Sequence, residues 1–404
     1  MKKRILARSI AALAVAIGST SAYAHGEGVT EWRLFVADQA SPTVSVIDAT
    51  DKALIDTYEL SGPAALHRTS SGQTVFAVQG SEGRVSAINT GIAFHDHGDH
   101  ADIDIDAPER LDMELTGERP AHFVEQQGYI AQWFDGEDEA RFFTENSVLE
   151  GNPEIRTANI EAAHHGVAVP YQHHAVVSIA NPDDASQRPI GARVVDFEGN
   201  HVGEDVACPG LHGSAGSGSL YALACQTGLL IISTQDGTPE IEHLAYPASL
   251  PEGSASTLLG GKGLQYFIGN FGADRLVIID PSQGQEGFQL VQLPTRRVHF
   301  ATDPIRPRFA YVFTEDGQLH KVDVLSGELT QSLRLTGPYS MDGHWNDPRP
   351  RIAVAGDNIV VTDPAAEKLH FVDANSFEEV DEMPLEGKPF NIVAVGGSGA
   401  SHHD

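Results

Sequence analysis

Short apolar runs recur along the whole chain, usually four to eight residues long, and glycine, proline, aspartate or serine separates them. Their side chains alternate apolar and polar or run continuously apolar, with valine, isoleucine, tyrosine and phenylalanine prominent, which predicts strands. No window long enough for a helix repeats its apolar residues at a spacing of 3.6, so the pattern reads as all-β.

The strands come in groups. "LHRTSSGQTVFAVQGSEGRVSAINT" starts at Leu66, "AHFVEQQGYIAQWF" at Ala121, "HHGVAVPYQHHAVVSIA" at His164 and "LHGSAGSGSLYALACQTGLLIIS" at Leu211. "STLLGGKGLQYFIGNFGADRLVIID" follows from Ser256, "VHFATDPIRPRFAYVFTEDGQLHKVDV" from Val298 and a last full unit from Gly343. Aligned on their first polar position, these groups place His67, His122, His165, His212, Thr257, His299, His344 and the Phe390–Asn391 pair in register. The spacing of about 45 residues is that of a propeller blade of four short strands. Residues 32–60 supply three strands before the first group and residues 389–396 supply one after the last. Three plus one completes a blade shared between the termini, which closes the ring and removes its open edge. The reading is one β-propeller of eight blades over residues 25–404, or seven if one weak group is an insertion.

Forty glycines and 22 prolines, spread along the chain, agree with many tight turns. The formal net charge of −30 sets such a surface against nucleic acid and anionic lipid. The first 24 residues read as an export signal. Lys2, Lys3, Arg4 and Arg8 precede the apolar stretch Ile10–Ile17, and Ala22-Tyr23-Ala24 offers a cleavage site before His25. The apolar stretch is too short to span a bilayer, and no later segment approaches the necessary length. A periplasmic location without membrane insertion follows. Cys208 and Cys225 are then expected to form a disulfide, with two free thiols or a thiolate metal site as the alternatives.

Nineteen histidines are out of proportion. In a propeller the first strand of each blade lines the central channel, so the register above assigns His67, His122, His165, His212, His299 and His344 to a channel ring. Neutral imidazole suits zinc, and converging imidazoles without a metal would repel one another once protonated. A subset of the six is therefore the candidate zinc site, with packing and blade-to-blade hydrogen bonding as the structural alternative for any one of them. The first interval is about ten residues longer than the rest, and the surplus falls in "FHDHGDHADIDIDAPE", residues 94–109. His95, His97, His100 and Asp102 there form a short metal-binding tract without apolar periodicity, expected to be a mobile loop. His243, His320 and His370 fall in outer-strand patterns and read as surface residues.

The segment "TVSVIDATDKALIDTYEL" followed by "GPAALHRTSSGQTVFAVQG" resembles the YVTN-type propeller repeats of exported bacterial proteins. The export signal, the single propeller, "HDHGDHAD" at residues 95–102 and blade histidines such as those in "ERPAHF" and "AAHHGV" together resemble the AztD-type periplasmic zinc metallochaperones. That resemblance implies a carrier without turnover, probed by zinc as its cargo, which passes the ion to the solute-binding protein of an ABC zinc importer. It also implies that His95, His97, His100 and Asp102 match the family's flexible metal-binding motif. A monomer is expected. Two other readings stay open on the residues alone. One is a copper-binding propeller, against which the four methionines and paired cysteines argue. The other is a metal-dependent propeller hydrolase with Glu161, beside His164 and His165, as general base. A protein-binding scaffold with incidental histidines is a third class.

Overall fold

A computed structural model describes residues 28–98, 101–160, 162–261 and 265–400. The leader, His25, Asp99, His100, Glu161 and the terminal His402-His403 lie outside these described residues.

Eight four-stranded antiparallel blades form a propeller, seven of them separate sheets and the eighth extended to a six-stranded sheet by an added hairpin. The innermost strands are Ala65–Arg68, Pro120–Gln126, Ala168–Pro170, Ser214–Ser217, Leu258–Leu259, Arg297–Thr302, Ile352–Ala355 and Pro389–Ala400. We number the blades one to eight in that order. Each following strand lies one step further from the axis, and the outermost strands, such as Ala53–Glu59 and Glu328–Arg334, are mostly exposed. The second and third strands are buried from both sides, which explains their unbroken apolar runs: all six residues of Thr74–Gln79 are buried. The core lies between blades rather than within any one. Trp133, for example, packs in a cluster whose members come from blades two, three and four.

Blade eight is the split one. Its inner strand, Pro389–Ala400, pairs with the N-terminal strand Gly28–Asp38, and Thr43–Asp48 and Ala53–Glu59 complete the sheet. This is the three-plus-one closure that the sequence predicts. The two long strands continue as a ribbon, with Gly28–Trp32 opposite Gly396–Ala400.

Two expectations need correction. The histidine-rich tract is not without strand structure. Ile92–Asp96 and Ala101–Ile105 form a hairpin inserted between the third and fourth strands of blade one, with His95 opposite Asp102. Asp102 also pairs, in parallel, with Ala400 of the closing strand. Arg33, 5% exposed, donates to the carbonyls of Thr90 and Asp106 at 2.5 and 2.7 Å and so clamps the base of the hairpin to blade eight. Pairing to an existing sheet, which the local sequence cannot reveal, gives both flanks of the segment strand structure. The second correction concerns blade seven. Its inner strand begins at Ile352, eight residues after His344, which lies in the connection spanning residues 335–351. The equivalent strand position is near Arg351, so His344 does not belong to the ring.

Candidate metal site

The structure brings three of the predicted ring histidines together. His122, His165 and His212 each offer one nitrogen, and these three atoms lie within 4.8 Å of one another. The Nε2 atoms of His122 and His165 are 3.2 Å apart. With Zn–N bonds of about 2.0–2.1 Å, two ligands of a tetrahedral ion stand about 3.3 Å apart. One edge of a coordination tetrahedron is thus already set, and the third nitrogen closes by about 1.5 Å at most.

Each residue reaches this point by a different local device. His122 is in the inner strand of blade two, where the pairing register shifts between Pro120 and Phe123. A bulge of this kind re-aims a side chain. His165 precedes the inner strand of blade three and is steered from behind. The Nδ1–H of His164 donates to the Ala162 carbonyl at 2.7 Å, its Nε2 accepts from the Ser178 hydroxyl at 3.0 Å, and Trp133 donates to the His164 carbonyl at 2.9 Å. Buried His164 therefore shapes the turn that presents His165. Gly166 belongs to the same device, since a Cβ there would lie 2.5 Å from both the His164 and Trp133 rings. His212 lies in the connection between blades three and four. Its backbone N–H donates to the Ala224 carbonyl, and the disulfide between Cys208 and Cys225 staples that connection to the second strand of blade four.

The partners of the other ring nitrogen fix the tautomers. His165 Nδ1–H donates to Oδ2 of Asp135 at 2.7 Å, and His212 Nδ1–H donates to the Ser256 carbonyl at 2.8 Å. Both leave Nε2 with its lone pair toward the other rings, the carboxylate–histidine and carbonyl–histidine pairing that metal-binding imidazoles use. Asp135 and Ser256 were not singled out by the sequence. Their roles come from contacts 30 and 44 residues away, and no local motif signals them.

Electrostatics disfavour a proton on His122 and His212. Burial, with smaller contributions from nearby His165, His212 and His67, pulls the His122 pKa down to about 3. Burial likewise lowers His212, partly opposed by its bond to Ser256. A positive charge is disfavoured on a group surrounded by potential positive charges, whereas a lone pair is available to an external cation.

The remaining candidates lie elsewhere. His67 stacks on Phe123, ring centroids 5.2 Å apart, and burial lowers its pKa to about 4. It borders the cluster without being one of the three grouped ligands. His299, in blade six, accepts a hydrogen bond on Nδ1 from the Ile352 N–H at 3.1 Å. His344 is exposed beside Trp345. In the hairpin, His95 pairs with Asp104 and His97 with Asp102, each at 2.8 Å. His100 is outside the described residues, as is Glu161. Of the three outer-strand histidines, His243 is exposed as expected, whereas His320 and His370 are 2% and 1% exposed. His320 bonds Thr314 and Ser332, and His370 bonds Asp363 and Glu379. Polar side chains on neighbouring strands satisfy both rings inside the blade.

The inner strands run in one direction around the ring, and the clustered histidines stand at or just before strand starts. The hairpin joins the far end of Pro389–Ala400, nine residues beyond Asn391. At about 3.3 Å per residue those nine residues span roughly 30 Å of strand, so the hairpin sits at the opposite end of the closing strand from the level of the triad.

A curated protein of Citrobacter koseri named zinc chaperone AztD is 61% identical over 407 aligned positions, covering 100% of this chain and 96% of the relative. The crystal structure of Citrobacter koseri AztD matches at TM-score 0.91 and 62% identity, covering 93% of this chain and 100% of that one. An apo structure from the same organism matches at TM-score 0.89 and 61% identity, covering 92% and 99%. The dihydro-heme d1 dehydrogenase NirN, at 14% identity and TM-score 0.58 over 89% of this chain and 74% of that one, shares the fold alone. No family model matches the chain.

Proposed function

The chain belongs to the AztD family of zinc chaperones, and from that premise we propose that it is an exported carrier whose cargo is a zinc ion held by His122, His165 and His212. The observation that carries this reading is the convergence of three imidazoles from adjacent blades, two of them already at the spacing of tetrahedral ligands. Three protein ligands leave one position of a four-coordinate ion open. A ligand from a receiving protein can enter there before the protein's own ligands leave. This suits transfer better than storage, because a fourth fixed ligand would close the site.

In this reading the receiver is the periplasmic solute-binding protein of an ABC zinc importer. The hairpin's exposed His95 and His97, with His100 and the buried carboxylate of Asp102, provide a second point of capture. No catalytic turnover is involved. The export signal and the disulfide support a periplasmic location, and among the described residues no helix is long and apolar enough to cross a membrane.

Elemental analysis of protein isolated from periplasm, without any nickel column, tests the reading directly. About one or more tightly held equivalents of zinc is the expected result, lost when His122 and His165 are both replaced by alanine. Copper in place of zinc, or zinc retained by the double variant, would overturn it.

A further inference from the structure

The seam between blades two and three holds a cavity of about 290 Å³, apart from the triad. His165 precedes the inner strand Ala168–Pro170 of blade three, whereas Tyr171, which lines the cavity, follows it. The opening has a cause in the strand pairing. The fourth strand of blade two begins at Arg156, opposite Phe142, so Phe143 and Thr144 at the end of the third strand extend beyond it. Residues 145–155 leave the sheet through the short helix Glu145–Leu149 instead of continuing the ladder. The seam is unfilled where the fourth strand falls short.

The walls of this cavity are of two kinds. Tyr129, Phe142, Tyr171 and Phe197 line it with aromatic rings, and Phe142 is buried edge-on to Phe197 with centroids 5.1 Å apart. Glu154 and Arg156 bring opposite charges to its exposed rim. Among the described residues Arg156 does not turn to Glu154. Its guanidinium lies over the Phe197 ring, with Cζ 5.8 Å from the centroid. A guanidinium held by its face keeps its N–H edge for an acceptor.

A separate anion and cation beside an aromatic wall suit a molecule that carries both charges next to a flat apolar group. Glu154 disfavours a simple anion there, and Arg156 a simple cation. The volume is at the lower limit of small-molecule sites, roughly 300–1,000 Å³, which excludes nucleotides and oligopeptides.

We propose that this seam binds a free amino acid with an aromatic side chain. The carboxylate goes to Arg156, the ammonium group to Glu154, and the ring enters among Tyr171, Phe142 and Phe197. The site is independent of the metal.

The test titrates metal-free protein, so that no zinc can chelate the ligand, with L-phenylalanine as the probe. Calorimetry should show saturable binding with a dissociation constant of about 1 mM or tighter. Phenethylamine lacks the carboxylate, phenylpropanoate lacks the ammonium group and L-alanine lacks the ring. Each should bind at least about tenfold more weakly than phenylalanine. Arg156→Gln should weaken phenylalanine by about tenfold and leave phenethylamine no weaker. Glu154→Gln should weaken phenylalanine similarly and leave phenylpropanoate no weaker. Both side chains are on the exposed rim, so both variants should melt with the native protein. Absence of saturation by phenylalanine, equal binding of L-alanine, or native affinity in the double Arg156→Gln, Glu154→Gln variant would overturn the site.

Discussion

Two groups of histidines, at opposite ends of the propeller axis, are built on different principles. In the channel, the second nitrogen of His165 and of His212 is committed to a fixed acceptor, and the first faces the other rings. In the hairpin, His95 and His97 have side chains more than half exposed, and each turns to a carboxylate on the facing strand. One group has its geometry set by three blades before any ion arrives. The other must exchange existing partners to make a site. The contrast separates affinity from access. Preorganised ligands lose little conformational entropy on binding, whereas exposed ones are reached first but hold less firmly.

The strongest challenge to this contrast is His122→Ala with His165→Ala. Removing two of three ligands should lower zinc affinity by about a thousandfold or more, given that loss of an outer-shell partner alone costs 10–100-fold. Competition titration against a chelator measures this, and retention of tight binding would place the main site in the hairpin. Replacing Cys208 and Cys225 by serine should come next. It should cost roughly 3 kcal/mol of folding stability and loosen the connection that carries His212, so melting temperature and zinc affinity should fall together. Asp135→Asn keeps the shape but removes the charge behind His165. A loss of about tenfold or more in affinity, with the melting temperature nearly unchanged, is expected.

Acid sharpens the comparison further. Folding lowers the pKa of His122 to about 3 and that of His212 below its ordinary value of 6.5, so protons compete less with zinc at these two. Three ordinary imidazoles would lose affinity about 1000-fold between pH 7.5 and 5.5. With His122 lowered to about 3 and His212 lowered as well, the measured loss over the same range should be clearly smaller. The same shifts act on stability with a definite sign. The unfolded chain takes up protons first, so metal-free protein should lose stability as pH falls from 6.5 towards the lowered values, and zinc should restore it. The smallest equilibrium effect is expected from His95→Ala with His97→Ala. Total affinity should stay within about twofold, since the triad is untouched, while the rate of zinc uptake in stopped-flow measurements should fall.

Much of the architecture was legible because blade strands, buried on two sides, must be apolar at a fixed interval. The split blade could be counted from the two ends. What the register could not provide was which ring histidines meet. His122, His165 and His212 share a place in the repeat with His299, yet His299 is occupied by the Ile352 N–H and flanked by arginines from the next blade. That distinction depends on residues up to 53 positions away. His344 shares the repeat's spacing only because its blade begins with an unusually long connection, which the histidine register alone does not reveal. The hairpin was misread for a related reason. "FHDHGDHADIDID" alternates with period two but is mostly polar, and the pairing that orders it comes from Ala400, at the far end of the chain.

That last pairing has a consequence for how the molecule assembles. The triad is built within 90 residues of contiguous chain, whereas the closing strand must find partners more than 350 residues away, from Gly28 opposite Ala400 to Val36 opposite Ile392. Contacts so distant in sequence are slow to form. During synthesis or export, blades two to four can therefore collect their histidines while the C-terminal strand is still absent. The ledge that supports the hairpin is completed only when the final dozen described residues arrive. A chain interrupted before its last strand would retain the material for its deep site and lose the support for its outer one, so ring closure also acts as a quality check on the finished carrier.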